Sequence, residues 1–208
     1  HGRNNMGGAG MYLFNLQKER WYTLSNSQAN YPGLAICDGS IYKLSRNLMN
    51  NEAEFVIFNP KTRQWDPVSK TPLPFELEMG NSICADLSGD TILVLGHGQP
   101  GFETWLYSVK EKTWTTVENE NNPPQRVLPQ MCYDAKNKIF VLHGGSRNIG
   151  DLWAFDMETY AWSRIVIDKL GPPDARYIRY CPSLKCVVTW DRSGGDIWAA
   201  RIYSKSIK

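Results

Sequence analysis

The sequence predicts an all-β fold built from repeated four-stranded units, and three observations carry that prediction. Trp21, Trp65, Trp114 and Trp162 recur at intervals of 44, 49 and 48 residues. Seven residues before each stands an aromatic (Phe14, Phe58, Tyr107, Phe155), and nine before stands Tyr12, Val56, Trp105 or Trp153. Compact apolar runs return with a similar period: Ile41-Tyr42, Ile92-Leu93-Val94-Leu95, Ile139-Phe140-Val141-Leu142 and Cys186-Val187-Val188. No segment has helical periodicity. The 17 Gly, 8 Trp, 10 Tyr and 7 Phe fit short strands joined by tight turns. A four-stranded unit repeated at roughly 48 residues is the pattern of a β-propeller blade.

Within each unit the strands follow in order. Cys37, Cys84, Cys132 and Cys181, at intervals of 47, 48 and 49, read as one equivalent place on the first, innermost strand. A free thiol serves there as a small buried hydrophobe. The apolar runs form the second strands, being too short for helices and bounded by Gly, Asp and Asn. Three of them lead into glycines, Gly96-His97-Gly98, Gly144-Gly145 and Gly194-Gly195, which let the chain turn sharply. The residues nine and seven before each Trp lie two apart, on one face of a third strand. Polar turns such as Asn59-Pro60-Lys61-Thr62 then lead to the Trp, which opens the fourth strand. An apolar residue three further on (Leu24, Val68, Val117, Ile165) stays in phase with it.

The units run approximately over 1–31, 32–78, 79–126, 127–176 and 177–208. The first holds only third and fourth strands, and Ile207 stands where the fifth would carry its Trp. The expectation is a partial ring of about four to five blades, completed by missing sequence or a partner chain, since an open propeller exposes apolar blade faces. The sequence begins at His1 and shows no signal or transit segment, so a piece of a longer chain or a processed product is expected.

Val141-Leu142-His143-Gly144-Gly145, then Asp151-Leu152-Trp153-Ala154-Phe155-Asp156, then Trp162, closely resemble the kelch repeat. The resemblance extends over essentially the whole chain and is sharpest in 130–165. The unit at 35–68 departs from it, with Leu44-Ser45-Arg46 in place of the glycine pair. The only Trp-Asp pairs, Trp65-Asp66 and Trp190-Asp191, lie 125 residues apart at different places in the repeat, which excludes a WD40 propeller.

The chemistry expected is binding. A chain of 208 residues buries an adequate core without disulfides. Its 23 basic and 21 acidic residues leave a net charge of +2, which points to neither nucleic acid nor an anionic membrane. No apolar run approaches the ~20 residues of a membrane helix. Five cysteines without an Asn-X-Ser/Thr sequon favour cytoplasm or nucleus. His1, His97 and His143 all sit beside strand-ending glycines, in different units and with no thiol or carboxylate at metal-ligand spacing. Neither a metal nor another cofactor is expected. With the histidines tied to the repeat, a Ser-His-Asp or Cys-His constellation lacks its base, so the chain reads as a non-enzyme.

The candidate partner-binding residues are loop arginines. Arg3, Arg46, Arg147 and Arg192 follow the second strands of four units, accompanied by Asn4, Asn5 and Asn148. Arg126, in Pro123-Pro124-Gln125-Arg126, and Arg176, in Pro172-Pro173-Asp174-Ala175-Arg176, enter first strands. Both kinds of loop leave a blade on the same face, and no recurring acidic residue is read beside them. Guanidinium forks gathered on one rim would pair carboxylates of an acidic protein or peptide segment. The competing reading of Arg126 and Arg176 is that they tie adjacent blades together. The resemblance implies an adaptor, such as the substrate-recognition arm of a ubiquitin ligase, or a scaffold. The alternatives are a kelch-form enzyme (a metal-dependent sugar oxidase, a mutarotase or an iron-dependent specifier protein) and a purely structural subunit.

Overall fold

The structure is a computed structural model that describes residues 10–26, 29–47, 52–69, 72–77, 82–87, 89–98, 101–145, 150–166, 175–191 and 197–203. Among these there are seventeen strands and no helix. A hairpin of β1 (Gly10–Asn15) and β2 (Arg20–Asn26) comes first. Three four-stranded antiparallel meanders follow: β3 (Ala29–Cys37), β4 (Ser40–Asn47), β5 (Ala53–Asn59) and β6 (Gln64–Pro67); β7 (Ile83–Ala85), β8 (Thr91–Gly96), β9 (Glu103–Ser108) and β10 (Thr113–Val117); β11 (Gln130–Asp134), β12 (Ile139–His143), β13 (Leu152–Asp156) and β14 (Ala161–Ile165). A three-stranded sheet of β15 (Ala175–Cys181), β16 (Cys186–Asp191) and β17 (Ile197–Ala200) closes the described chain. The sheets are the blades of a β-propeller, with β3, β7, β11 and β15 innermost and neighbouring ones in contact.

The seven-residue spacing is a cross-strand pair. Phe14 faces Trp21, Phe58 faces Trp65, Tyr107 faces Trp114 and Phe155 faces Trp162, with ring centroids 4.9–5.4 Å apart. Aromatic pairs of this kind stabilise a sheet beyond the area they bury. Two of the tryptophans also reach back to the preceding blade. The Trp114 ring lies 5.0 Å from Phe55 on β5, and Trp162 Nε1 donates to Thr104 Oγ1 on β9 at 2.7 Å. Trp162 is 2% exposed, whereas Trp21 of the β1–β2 hairpin is 67% exposed.

The second strands read as unbroken apolar runs because both of their faces are covered. Ile92 and Val94 of β8 pack towards the β3–β6 blade, while Leu93 and Leu95 pack towards the β11–β14 blade. On β12, Phe140 and Leu142 face back to the β7–β10 blade, and Ile139 and Val141 face forward to Ile178 and Val187. The core therefore lies between blades, as successive layers of alternate residues.

Cross-strand register corrects the expected equivalence of the cysteines. Cys84 and Cys132 pair with Leu93 and Val141, and the residue at the same place in the last sheet is Arg179, opposite Val188. In the β3–β6 blade that place belongs to Ala35, opposite Tyr42. Cys37 and Cys181 stand two residues on, at the closing pair of the hairpin, where the middle blades carry Asp86 and Asp134. A slip of two keeps a side chain on the same face, so strand periodicity alone does not reveal it.

Candidate functional site

The face carrying the second-to-third and fourth-to-first loops is anchored by one buried ion pair. Arg126, in the connection from β10 to β11, is 2% exposed. Its Nη1 donates to Asp151 Oδ1 at 2.6 Å, its Nη2 reaches Asp151 Oδ2 at 3.5 Å, and its Nε donates to the Pro124 carbonyl at 3.0 Å. Nη1 also lies 3.5 Å from the Gly144 carbonyl. Trp153 Nε1 donates to Asp151 Oδ2 at 2.8 Å, and the Asp151 carbonyl accepts from His143 Nδ1 at 2.8 Å. Burial on its own raises the Asp151 pKa. The hydrogen bonds from Arg126 and Trp153, with the guanidinium charge, outweigh it and hold the carboxyl below its ordinary range. Burial lowers the pKa of His143, whose Nε2 is enclosed without a hydrogen-bond partner among the described residues.

Glycine is required beside this clamp. Gly145 has φ +106°, and a Cβ there would lie 3.0 Å from Arg126 Cγ and 3.1 Å from its Cδ. The segment 146–149, which includes Arg147 and Asn148, lies in the chain between Gly144 and Asp151. Arg126 holds both of those residues.

In the preceding blade the same places are filled differently. Glu103 stands where Asp151 does, two residues before an indole whose Nε1 bonds it at 3.0 Å. No arginine among the described residues pairs with Glu103, and it is exposed. His97 occupies the place of Gly145, and its Nδ1 accepts from the Gln125 amide at 2.6 Å. Leu73, Phe75, Glu76, His97 and Glu103 line an open cleft of about 470 Å³ here. In the β3–β6 blade the equivalent carboxylate is Glu54, which faces Ser45 across the ladder.

A carboxylate therefore recurs at one place in three blades, and in one of them, as Asp151, it pairs with an arginine. It stands eleven residues before Trp65, Trp114 and Trp162, at Glu54, Glu103 and Asp151, whereas Gly10 holds that place before Trp21. Asp196 of the fifth unit, aligned through Asp196-Ile197-Trp198, lies outside the described residues. The period was visible in the sequence, but the residue type alternates between Asp and Glu and the preceding residues do not repeat.

The predicted arginines divide. Arg126 ties blades together: its donors are spent on Asp151 and backbone carbonyls, with none presented to a partner. Arg46 lies within β4, paired with Ala53, because Leu44-Ser45-Arg46 extends the strand where other units turn at glycine. Its Nη2 donates to the Leu77 carbonyl in the connection to the next blade. Arg176 lies in β15, at the irregularity between Ala175 and Tyr177. Arg3, Asn4, Asn5, Arg147, Asn148 and Arg192 lie outside the described residues.

No protein-family model matches the sequence. In structure the chain is similar to YjhT, at 12% identity and TM-score 0.70, over 100% of this chain and 78% of that one. It is similar to TolB from Acinetobacter baumannii (12% identity, TM-score 0.61, 92% of this chain and 45% of that one). It also resembles an auxiliary nutrient binding protein from Bacteroides ovatus (13%, 0.62, 89% and 51%). The chain thus spans less than half of TolB's length. At such identities the likeness is one of fold, and it agrees with the blades themselves: the chain forms a β-propeller.

Proposed function

We propose that the chain is a non-enzymatic, kelch-type interaction module that captures a protein segment on this loop face, as an adaptor or scaffold subunit. The supporting observation is the Arg126 clamp, which holds both ends of the loop bearing Arg147 and Asn148 on a rigid frame. Binding residues are disproportionately found on loops positioned by such a scaffold. Arg3, Arg147 and Arg192 are the donors proposed for a carboxylate-bearing segment, with Arg46 contributing less because of its bond to Leu77.

The test is fluorescence anisotropy with labelled acidic, neutral and basic decapeptides. The acidic peptide should bind best, and Arg147→Ala should weaken it about tenfold or more, as expected for loss of a paired arginine. Lys110→Glu and Lys112→Glu, in the β9–β10 turn on the opposite face, should leave binding unchanged. Loss of binding in the lysine variants with none in Arg147→Ala would move the site to the other face.

A further inference from the structure

The innermost strands enclose a cavity of about 660 Å³, within the range that holds one small organic molecule. Its wall is unusual on β3. Ala35 and Cys37 turn into the blade core, while Leu34 and Ile36, on the opposite side of the strand, are 50% and 70% exposed and line the cavity. This is the face of β3 turned away from the β7–β10 blade, towards the two-stranded β1–β2 unit, which has no inner strand among the described residues to cover it. Leu87 and Tyr133 extend the same lining from β7 and β11.

One layer of this wall comes from equivalent places in four blades: Ala35, Cys84, Cys132 and Arg179. Three small side chains leave room beside a long cationic one. Arg179 is the only charged side chain among the described residues that line the cavity. Its Nη1 donates to the carbonyl of its own neighbour Ile178 at 2.7 Å, and it forms no ion pair with a described residue. Carboxylates at the hairpin ends of the neighbouring blades act on the same thiols as Arg179, and their oxygens hold backbone amides. Asp86 accepts from the amides of Gly89, Asp90 and Thr91, and Asp134 from those of Lys136 and Asn137. The thiols are not candidates for its partner: burial pushes Cys84 up to about 12 and Cys132 well above its ordinary value.

From this juxtaposition of a mostly apolar cavity and a single guanidinium among its described lining side chains, we propose that the channel binds a small organic anion. Its carboxylate, or a similar acid group, pairs with Arg179, and its apolar body lies against Leu34 and Ile36. The guanidinium supplies a planar fork for two oxygens, and the aliphatic wall supplies hydrophobic contact. This site reaches the β10–β11 connection at Leu128 and Pro129, and it does not depend on the docking proposed on the loop face.

The test uses 8-anilinonaphthalene-1-sulfonate as an anionic probe and N-phenyl-1-naphthylamine as its uncharged counterpart. The sulfonate should bind saturably at one site, with 2-naphthoate displacing it and 2-naphthol competing weakly. Arg179→Gln should weaken the sulfonate at least tenfold and leave the amine unchanged, while Arg179→Lys should fall between. Filling the cavity by Ile36→Trp, or by Leu34→Trp if the first variant does not fold, should displace both dyes. Equal sulfonate affinity in wild type and Arg179→Gln, or dye binding that survives the filled cavity, would overturn the proposal. The acidic-peptide assay, repeated on Arg179→Gln, should be unaffected, so failure of one proposal is distinguishable from failure of the other.

Discussion

Asp151 and Glu103 occupy the same place in adjacent blades, each hydrogen-bonded to the indole two residues on, yet they have opposite fates. Asp151 is buried against Arg126, with Gly144, Gly145 and His143 packed around the pair. Glu103 is exposed beside His97 and Glu76 at the edge of an open cleft. The difference teaches that the repeat supplies a carboxylate on β5, β9 and β13, and that the connecting segment decides its use. Where Arg126 precedes β11, the carboxylate becomes part of the framework; Glu54 is half-buried and Glu103 stays at the surface.

The largest expected contrast is in stability. Asp151→Ala leaves the Arg126 guanidinium buried and unpaired, which should cost about 3–5 kcal/mol. Glu103→Ala removes an exposed hydrogen bond and should cost less than about 1 kcal/mol. Urea unfolding with unchanged m-values measures both; equal midpoints would mean that the clamp is not what separates the blades. If the ion pair acts as a unit, Arg126→Met with Asp151→Leu should recover much of the single-variant loss.

Gly145→Ala sharpens the comparison further. The added Cβ meets the Arg126 side chain and sits at a φ that favours glycine, so a loss of about 1–3 kcal/mol is expected. His97→Ala, at the same place in the preceding blade, should cost about 1 kcal/mol or less through its Gln125 hydrogen bond. Thermal midpoints of the two variants, scanned side by side, check the order.

Acid provides the smallest effect. His143 has a pKa below its ordinary 6.5 because it is buried, so the folded state resists a proton that the unfolded chain accepts. Its contribution is complete above about pH 6.5 and drains as the pH falls through the folded value. Asp151, also lowered from 3.8, contributes fully above that pH and loses its contribution below it. The preceding blade has Leu95 at the place of His143. His143→Leu should therefore flatten the decline that begins near pH 6.5, seen as unfolding free energy measured at pH 7.5, 6 and 5. A profile unchanged by the substitution would assign that decline to another group.

Much of the fold was legible because its strongest contacts are local. Phe58 and Trp65, or Phe155 and Trp162, are seven residues apart and meet across one hairpin, so the spacing states the contact directly. The run Ile139–Leu142 was legible because a strand covered on both faces needs no polar residue. The site was harder. Arg126 and Asp151 are separated by 25 residues and by a blade boundary, and nothing in either segment marks the other. Arg46 was placed beyond a strand that in fact contains it, since a missing glycine signals continued pairing as readily as an altered loop. The turns before the fourth strands also hid a regularity. Glu19, Arg63, Lys112 and Tyr160 each adopt φ between 48° and 57°, two residues before a Trp, at a place where glycine was the residue to look for.

The backward reach of the tryptophans bears on how the molecule is made. Trp114 meets Phe55, and Trp162 meets Thr104, so each acceptor is translated about 60 residues before its indole. Each Trp lies in the outermost strand, which is also the last of its blade to leave the ribosome. The second strand of a blade can pack on its predecessor first, and the Trp contact is the last of these links to be translated. A growing chain adds each blade to a surface that is already waiting.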